Sequence, residues 1–118
     1  MRKRQKRSPK DILKDKAWSV FSKWIRKRDK KCITCGSTKT LQAGHFYHAV
    51  LDFDEVNINT QCSGCNYYKS GNLALYAEYL MKKYGVKKFN ELTKRKNLAL
   101  GGEYRTEDDY KKIIKKYE

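Results

Sequence analysis

Cys32-Ile33-Thr34-Cys35 is followed, after 26 intervening residues, by Cys62-Ser63-Gly64-Cys65, and His45 lies between the two pairs. A CxxC turn directs two sulfur atoms at one tetrahedral centre, so two such turns supply a complete four-thiolate shell. This composition is typical of a closed structural zinc site. The sequence therefore predicts a Zn²⁺ ion, held by Cys32, Cys35, Cys62 and Cys65, that joins two separate parts of the chain.

Disulfide bonds are an alternative use of four cysteines, and small secreted proteins in oxidising compartments often have them. The first seven residues are mostly basic and precede no apolar segment of a secretory signal, and no apolar run is long enough to cross a bilayer. We therefore expect a cytoplasmic protein with reduced cysteines. A redox-active CxxC is a further alternative, but a dithiol catalyst needs only one pair.

The chain is strongly basic. Its 118 residues contain 28 lysines and arginines against 13 aspartates and glutamates, which gives a formal net charge of +15 with neutral histidines. Such an excess predicts a polyanionic partner, although lysines on helices can also serve solubility alone. The length suits one domain with a modest core, which a metal tie would help to stabilise.

Six of the first ten residues are basic and none is acidic. We predict a basic flexible arm over residues 1–8 that lies along phosphates, and one zinc-stapled domain over residues 9–118. Membrane binding is less favoured, because no hydrophobic anchor accompanies the basic segments. The predicted phosphate contacts are Arg2, Lys3, Arg4, Lys6, Arg7, Arg26, Arg28 and Lys69.

Helical spacing dominates the first part of the chain. Ser8 is a predicted N-cap, followed by a helix from Pro9 to about Lys30. Trp18 and Trp24 fall on its apolar side, which favours a core role over base stacking. Two short strands are predicted near residues 41–46 and 56–59.

The C-terminal half is predicted to be helical. A helix should begin near Asn66 and be interrupted or recapped at Gly71-Asn72. The next helix should end at Gly85, with another short helix around residues 89–92. Gly101-Gly102 is predicted to be a loop or hinge before a last helix, which should begin at Thr106 and carry an apolar stripe of Tyr110, Ile113, Ile114 and Tyr117.

Three polar positions around the second cysteine pair carry a family resemblance. His45 ends the first predicted strand, Asn57 stands five residues before the second CxxC, and Asn66 immediately follows it. With the two CxxC turns, this spacing resembles the HNH endonucleases, a ββα-metal family built on a zinc-bound treble clef. The resemblance implies an α+β fold with an HNH core between N- and C-terminal helices, and metal-dependent hydrolysis of phosphodiester bonds in DNA.

A narrower resemblance extends over about residues 18–92. It rests on Gln42-Ala43-Gly44-His45-Phe46, Gln61-Cys62, Cys65-Asn66 and Gly71-Asn72, with Trp24-Ile25-Arg26 and Lys83-Tyr84-Gly85 outside the two cysteine pairs. These strings resemble the NinG (Rap) group of phage recombination endonucleases. The resemblance implies structure-selective cleavage of branched DNA, such as Holliday junctions and forks, in the cytoplasm of the host. It also implies phage recombination proteins as further partners.

The chemistry of the site can be argued from the side chains. Phosphodiester hydrolysis needs a base for the attacking water and a positive centre for the charge that develops on phosphate and leaving oxygen. His45 suits the first role, because an unperturbed imidazole is largely neutral at pH 7. Asn66 would hold a hydrated Mg²⁺ or Mn²⁺ through its amide oxygen, and Asn57 would brace the His45 loop. Taken alone, these residues could instead be a structural histidine, a turn former and an N-cap.

Gly44 departs from the HNH pattern, because many HNH enzymes place an acidic metal ligand directly before the catalytic histidine. Asn59 is a second departure, since the NinG-like pattern often has a histidine there. The second protein ligand of the catalytic ion is therefore open. The candidates are His48, which is ranked first for nearness, Asp52, Asp54 and Gln42.

Two rival functions stay open, namely a general HNH nicking or restriction enzyme and a non-catalytic zinc module that binds nucleic acid. A homodimer is also expected, since symmetric junction resolution needs two cuts. The stripe on the last helix would either form the dimer contact or, as we favour, pack on the domain's own core.

Overall fold

The computed structural model describes residues 7–99 and 104–118. Arg2, Lys3, Arg4, Lys6 and the Gly101-Gly102 hinge lie outside these ranges. The described part is a mixed α+β structure, which confirms the predicted class. Its elements, in chain order, are α1 (Pro9–Asp29), β1 (Leu41–His45), β2 (Ile58–Cys62), a π-helical turn called the π turn (Gly64–Tyr68), α2 (Leu73–Leu98) and α3 (Glu107–Tyr117).

Helix α1 begins and ends as the sequence predicts. The Ser8 hydroxyl accepts a hydrogen bond from the backbone N–H of Asp11 at 3.1 Å, with proline at the first helical position. Lys30 ends the helix in the left-handed conformation, with φ of 68°. Ala17, Phe21 and Ile25 follow one another at i+4 spacing and are buried.

Helix α3 packs along α1. Thr106 caps it, and a reciprocal capping box joins Thr106 to Asp109. Three residues of the predicted apolar stripe are buried in the same clusters as the α1 core, and Ile113 packs beside them. The stripe therefore belongs to the domain's own core, as favoured from the sequence. Its buried side chains are not accessible to a second copy of the chain.

The two strands form an antiparallel hairpin whose register runs from Leu41 opposite Cys62 to His45 opposite Ile58. The second strand, predicted near residues 56–59, is present but shifted, because pairing begins at Ile58 and continues into the second cysteine pair. The Asp54 carboxylate accepts hydrogen bonds from the backbone N–H groups of Val56 and Asn57, so a local turn keeps these residues out of the sheet. All five residues of β2 are buried.

Helix α2 is kinked at Gly85. This residue has φ of 85° and ψ of 161° within an otherwise helical segment, so the predicted end of a helix is found as a break between two helical halves. The second half contains the helix predicted around Phe89 and Leu92. The π turn occupies the predicted helix start at Asn66, and Asn72, at φ of 48°, separates it from α2.

Two hydrophobic clusters meet at the hairpin. Phe21, Ile25 and Ile58 form one cluster with α3, and Trp18 and Trp24 pack against it, as predicted. Tyr76, Leu80 and Leu92 form the other cluster, under the loop that joins the strands. Within the described ranges, no helix combines the length and apolar character needed to cross a membrane.

Candidate metal centre and active site

The four cysteines converge in one cluster. Their Sγ atoms all lie within 4.8 Å of one another, the four residues are free cysteines, and Cys35 is the one exposed member. Four sulfurs at the usual Zn–S distance of about 2.3 Å around a tetrahedral ion would be about 3.8 Å apart. The donor set and its spacing fit Zn²⁺, so the four cysteines could bind a zinc ion.

The thiols differ in acidity, which bears on their fitness for a cation. Burial raises the pKa of Cys32, but hydrogen bonds from Thr34 and from backbone N–H groups outweigh it, and the pKa falls to about 6. A backbone hydrogen bond from Ser37 lowers the pKa of Cys35, but the sulfurs of Cys62, Cys32 and Cys65 outweigh it and raise the pKa to about 12. The Cys32 thiolate thus forms readily, whereas the neighbouring sulfurs oppose a second negative charge on Cys35. A bound divalent cation would neutralise this repulsion and stabilise the thiolates together.

Backbone contacts fix where the cysteines stand. Cys32 follows the end of α1, and its N–H and C=O groups bond to Ser37 and Gly36 in a tight turn. The N–H of Ile33 donates to the Thr60 carbonyl at 2.9 Å, which attaches this turn to β2. Because Cys62 ends β2 and Cys65 lies in the π turn, the cluster joins α1, the hairpin and the π turn.

His45 is the last residue of β1, and Asp52 lies against it. The distance between His45 Nε2 and Asp52 Oδ1 is 3.0 Å. This hydrogen bond to His45 lowers the pKa of Asp52, although burial opposes the shift. When Nε2–H donates to Asp52, the lone pair of the imidazole lies on Nδ1. The geometry therefore offers an oriented imidazole whose second nitrogen can accept a proton.

The Trp18 ring stacks on the His45 imidazole, with ring centroids 5.4 Å apart. A cleft of about 270 Å³ opens here, lined by Lys14, Asp15, Trp18, His45, Asp52 and Phe53. A second, more open cleft of about 470 Å³ is lined by Trp18, Ser19, Ser22, Arg26, Leu41, Gln42, Ala43 and Asn66. Trp18 thus borders both clefts as well as the core. Helical spacing indicated only its core side.

Asn57 is fully buried and holds the loop that follows His45. Its Oδ1 accepts a hydrogen bond from the Tyr47 N–H at 2.8 Å. Its Nδ2 donates to the carbonyl oxygens of Tyr47, Val50 and Leu51 at 3.1 to 3.3 Å. These four contacts fix the loop that carries Asp52 to His45.

Asn66 lies in the π turn and faces Gly44 of β1. Its Nδ2 donates to Gln42 Oε1 at 2.8 Å, and its Oδ1 is 3.0 Å from the position that a Cβ atom on Gly44 would occupy. Gln61 Oε1 is 2.4 Å from the same position. Gly44 is therefore required by space, because any side chain there would meet two amide oxygens.

The Gln61 amide has a defined orientation. Its Nε2 donates to the Gly71 carbonyl at 2.7 Å, so the opposite atom must be the oxygen. This Oε1 is buried and has no hydrogen-bond partner among the described residues. Sequence reasoning missed Gln61 as a site residue, because a glutamine beside a cysteine gives no signal that its oxygen will be buried without a donor.

Two hard oxygen atoms, Asn66 Oδ1 and Gln61 Oε1, thus converge beside the residue that precedes His45. Amide oxygens are ligands that Mg²⁺ and Mn²⁺ accept, and Mg²⁺ keeps several of its waters. The two neutral oxygens are thus a donor set that a divalent ion could use, with Gln61 Oε1 on its buried side.

The other candidates for the second ligand have different surroundings. The His48 ring is exposed, 6.3 Å from the His45 ring by centroids. Asp52 is bonded to His45, and Asp54 accepts from Arg95 at 2.8 Å. Gln42 Oε1 accepts from Asn66 and so positions that amide.

Tyr76, in α2, contacts this end of the hairpin. It is fully buried, and its hydroxyl lies 2.7 Å from the Gly44 carbonyl oxygen and 3.1 Å from that of Asn57. Burial raises the pKa of Tyr76 far above its ordinary value. Asn59, also fully buried, donates to the Tyr76 hydroxyl at 3.1 Å. Asn59, which stands where the NinG-like pattern often has a histidine, is therefore an interior residue that links β2 to α2.

The cations predicted to contact phosphates have unequal exposure. Arg28 donates to the Glu55 and Ile58 carbonyls, to Asn59 Oδ1 and to Asp29, and its side chain is only 19% exposed. The Arg28 guanidinium is therefore used in contacts with β2 and the residues beside it, and little of it is exposed to a phosphate. Arg26 is exposed along the second cleft, and Lys69 is exposed after the π turn. Arg7 pairs with Asp15.

Comparison with known proteins gives the family. A family model described as NinG, the bacteriophage lambda NinG protein, matches residues 1–118. The chain is 36% identical over 92 residues to Protein ninG of Salmonella phage P22, which covers 71% of this chain and 45% of that protein. It is 34% identical over 97 residues to Protein ninG of Escherichia phage lambda, covering 75% and 48% of the two chains.

The chain spans about half the length of the curated relatives it matches. No solved structure matches it. The family match extends over the whole chain, including both cysteine pairs, His45 and the stretch from Gln61 to Asn72. The chain therefore belongs to the NinG family of bacteriophage proteins.

Proposed function

We propose that this protein is a metal-dependent DNA endonuclease of the HNH type that cuts branched recombination intermediates, such as Holliday junctions and forks, in the phage-infected cell. One observation carries the proposal. The imidazole of His45, oriented by Asp52, stands at the end of a strand where the amide oxygens of Asn66 and Gln61 converge on Gly44. Within β1 the His45 side chain and the Cβ direction of Gly44 point to opposite faces. A phosphate would therefore lie across the open edge of this strand to meet both the base and the amide oxygens, as hydrolysis requires.

In this proposal the hairpin, the π turn and the first half of α2 form a treble-clef HNH core. Zn²⁺ on the four cysteines has a structural role, since a four-thiolate shell leaves no position for a substrate. Asn57 acts through the loop that it holds and is a positioning residue. Asn59 and Tyr76 keep the two strands and α2 in register.

His45 is the proposed general base. Asp52 accepts the Nε2 proton, which orients the ring and stabilises the imidazolium once Nδ1 has taken a proton from the attacking water. A Mg²⁺ or Mn²⁺ ion held by Asn66 and Gln61 would supply positive charge for the phosphate and the leaving oxygen. His48 is available at the surface as a further ligand or phosphate contact.

Positive charge supplies the affinity for DNA in this proposal. Arg26 borders the cleft that contains Asn66, and Lys69 follows the π turn. Contacts of this kind give affinity without sequence preference and weaken with salt. The arm residues Arg2, Lys3, Arg4 and Lys6 are proposed to contact phosphates as well. Phage recombination proteins and a second copy of the chain are proposed as further partners.

A non-catalytic zinc module that binds nucleic acid is the second candidate. Gly44 favours it, because this chain lacks the carboxylate that many HNH enzymes use at that position. A general nicking enzyme is the third, and it differs from the main proposal only in its substrate.

Cleavage of end-labelled DNA tests the three candidates together. Four-way junction, fork and linear duplex are incubated with Mg²⁺ or Mn²⁺, using the wild type and His45→Ala with their zinc contents measured. The proposal expects metal-dependent cutting of branched DNA that the zinc-loaded variant has lost. Equal cutting of all three substrates would favour the general nuclease, and tight binding without cutting would favour the zinc module.

A further inference from the structure

We propose that Tyr67 and Tyr68 form a stacking platform for unpaired DNA bases, and that this platform gives the protein its preference for branched over linear DNA. The inference rests on the proposed function and adds to it the feature of the substrate that is recognised. Neither tyrosine takes part in the hydrolytic chemistry described above.

Both rings face solvent to an unusual extent. Tyr67 is 76% exposed and Tyr68 is 80% exposed, whereas tyrosine is on average intermediate between buried and exposed residue types. Their ring centroids are 5.1 Å apart and the rings are nearly perpendicular, at 88°. The two rings contribute to none of the hydrophobic clusters of the described residues, so both are available to a ligand.

The backbone beneath the two rings is held firmly. The Lys69 N–H donates to the Gly64 carbonyl at 2.9 Å, and the Gly71 N–H donates to the Cys65 carbonyl at 2.9 Å. Cys65, two residues before Tyr67, is buried in the four-cysteine cluster. A platform fixed in this way costs little conformational entropy when a ligand binds.

The position of the pair next to Asn66 indicates the ligand. Tyr67 directly follows Asn66 in the π turn, so the platform and the proposed ion site are carried by consecutive residues, whose Cα atoms lie about 3.8 Å apart. Lys69 follows Tyr68, and the sequence has no acidic residue from Val56 to Ala77. Exposed aromatic rings interleaved with positive charge, on a chain of net charge +15, match the chemistry of a nucleic acid strand.

Unpaired bases distinguish branched DNA from duplex. In a linear duplex both faces of each base are already stacked, so the tyrosines could add little. At a fork or branch point, bases leave the stack and can lie against an aromatic ring, at a gain of about 5- to 160-fold in affinity per base. The platform would therefore hold the branch point beside His45 and Asn66.

The test measures binding apart from cleavage. Fluorescence anisotropy in Ca²⁺ compares a fork with unpaired arms, single-stranded oligo-dT and linear duplex, for the wild type and for Tyr67→Leu/Tyr68→Leu. Leucine keeps the apolar character and removes the flat ring. We expect at least about tenfold weaker binding to the fork and to oligo-dT, and a change of less than twofold on duplex.

Matched variants make the result specific. Tyr104→Leu, which removes another exposed tyrosine, should leave all three affinities unchanged, and Tyr67→Trp/Tyr68→Trp should retain fork binding. Equal losses on duplex and fork, or no loss at all, would overturn the platform. A loss of self-association without a loss of fork binding would assign the rings to a second copy of the chain and would also overturn it.

Binding and cleavage are measured separately, so failure of the platform can be distinguished from failure of the nuclease proposal. If the wild type cuts no DNA in Mg²⁺ but the double variant loses fork binding selectively, the platform stands and the nuclease fails. If the wild type cuts forks and the zinc-loaded double variant keeps the same preference over duplex, the nuclease stands and the platform fails.

Discussion

Asp52 and His45 are seven residues apart in the chain, yet Oδ1 of the first lies 3.0 Å from Nε2 of the second. If this pair orients the base, Asp52→Asn should lower the cleavage rate by about 100-fold or more, with little change in DNA affinity. Single-turnover cleavage and anisotropy measure the two quantities. Asp108→Asn, at an exposed position in α3, is the control, and an Asp52→Asn enzyme as fast as this control would contradict the assignment.

Cys35 allows a clean test of the metal centre, because it is the exposed member of the cluster. Cys35→Ser removes little buried surface, so any large loss of stability reports the loss of a ligand. We expect reduced zinc content and a free energy of unfolding lower by several kcal/mol, and a similar loss when a chelator removes zinc from the wild type. Ser37→Ala serves as the control, and unchanged zinc content in Cys35→Ser would argue against a four-cysteine site.

The space at Gly44 predicts a steric coupling to Gln61. Gly44→Ala places a methyl group 2.4 Å from Gln61 Oε1, so we expect a loss of about 1–3 kcal/mol in the free energy of unfolding. Combining it with Gln61→Ala removes the obstructing oxygen, and the two losses should then be less than additive. Urea unfolding of the four proteins measures this cycle, and strict additivity would refute the contact.

Asn66→Ala should weaken the binding of Mn²⁺, because it removes one of the two proposed oxygen ligands. Electron paramagnetic resonance of free Mn²⁺ gives the affinity directly, without reliance on cleavage. Asn97→Ala, on the exposed end of α2, is the matched control. Equal Mn²⁺ affinity in Asn66→Ala and in the control would exclude Asn66 as a ligand.

Neighbouring arginines on α1 should respond in opposite ways. Arg26→Ala is expected to weaken DNA binding and to reduce the slope of log affinity against log salt by about one, with little effect on stability. Arg28→Ala leaves the buried Asp29 carboxylate without its main partner, so we expect a loss of about 3–5 kcal/mol in the free energy of unfolding. Anisotropy at several salt concentrations and urea unfolding separate the two effects, and a large salt effect from Arg28 would contradict this division.

Local signals in the sequence were sufficient for the helices and the cysteine cluster. Ser8, Thr106 and the i+4 spacing of Ala17, Phe21 and Ile25 act over one or two turns, so α1 and α3 could be predicted nearly to the residue. The CxxC spacing likewise brings sulfurs together without knowledge of the rest of the fold. The bounds of the second strand were misplaced, because the turn at Asp54 depends on a side chain that competes with the sheet for backbone N–H groups.

The detailed site could not be predicted, since it depends on contacts between distant parts of the chain. Nothing local shows that Asp52 reaches His45, that Gln61 turns an oxygen without a donor toward Gly44, or that Arg28 points inward. Trp18 has a core side and a cleft side, and helical spacing reports only the first. Such relationships depend on tertiary packing, which a single sequence does not reveal residue by residue.

Tyr76 makes the strand ends around His45 depend on two separate helical layers. Its hydroxyl joins α2 to the carbonyl groups of Gly44 and Asn57, while Ile58, beside them, is packed against α1 and α3. Loss of α2, or of the layer formed by α1 and α3, would remove one of the two supports of the strand ends at Gly44 and Ile58. A partly unfolded or proteolytically nicked molecule would therefore lose the arrangement around His45, and under the proposed function damage to either layer would abolish cleavage.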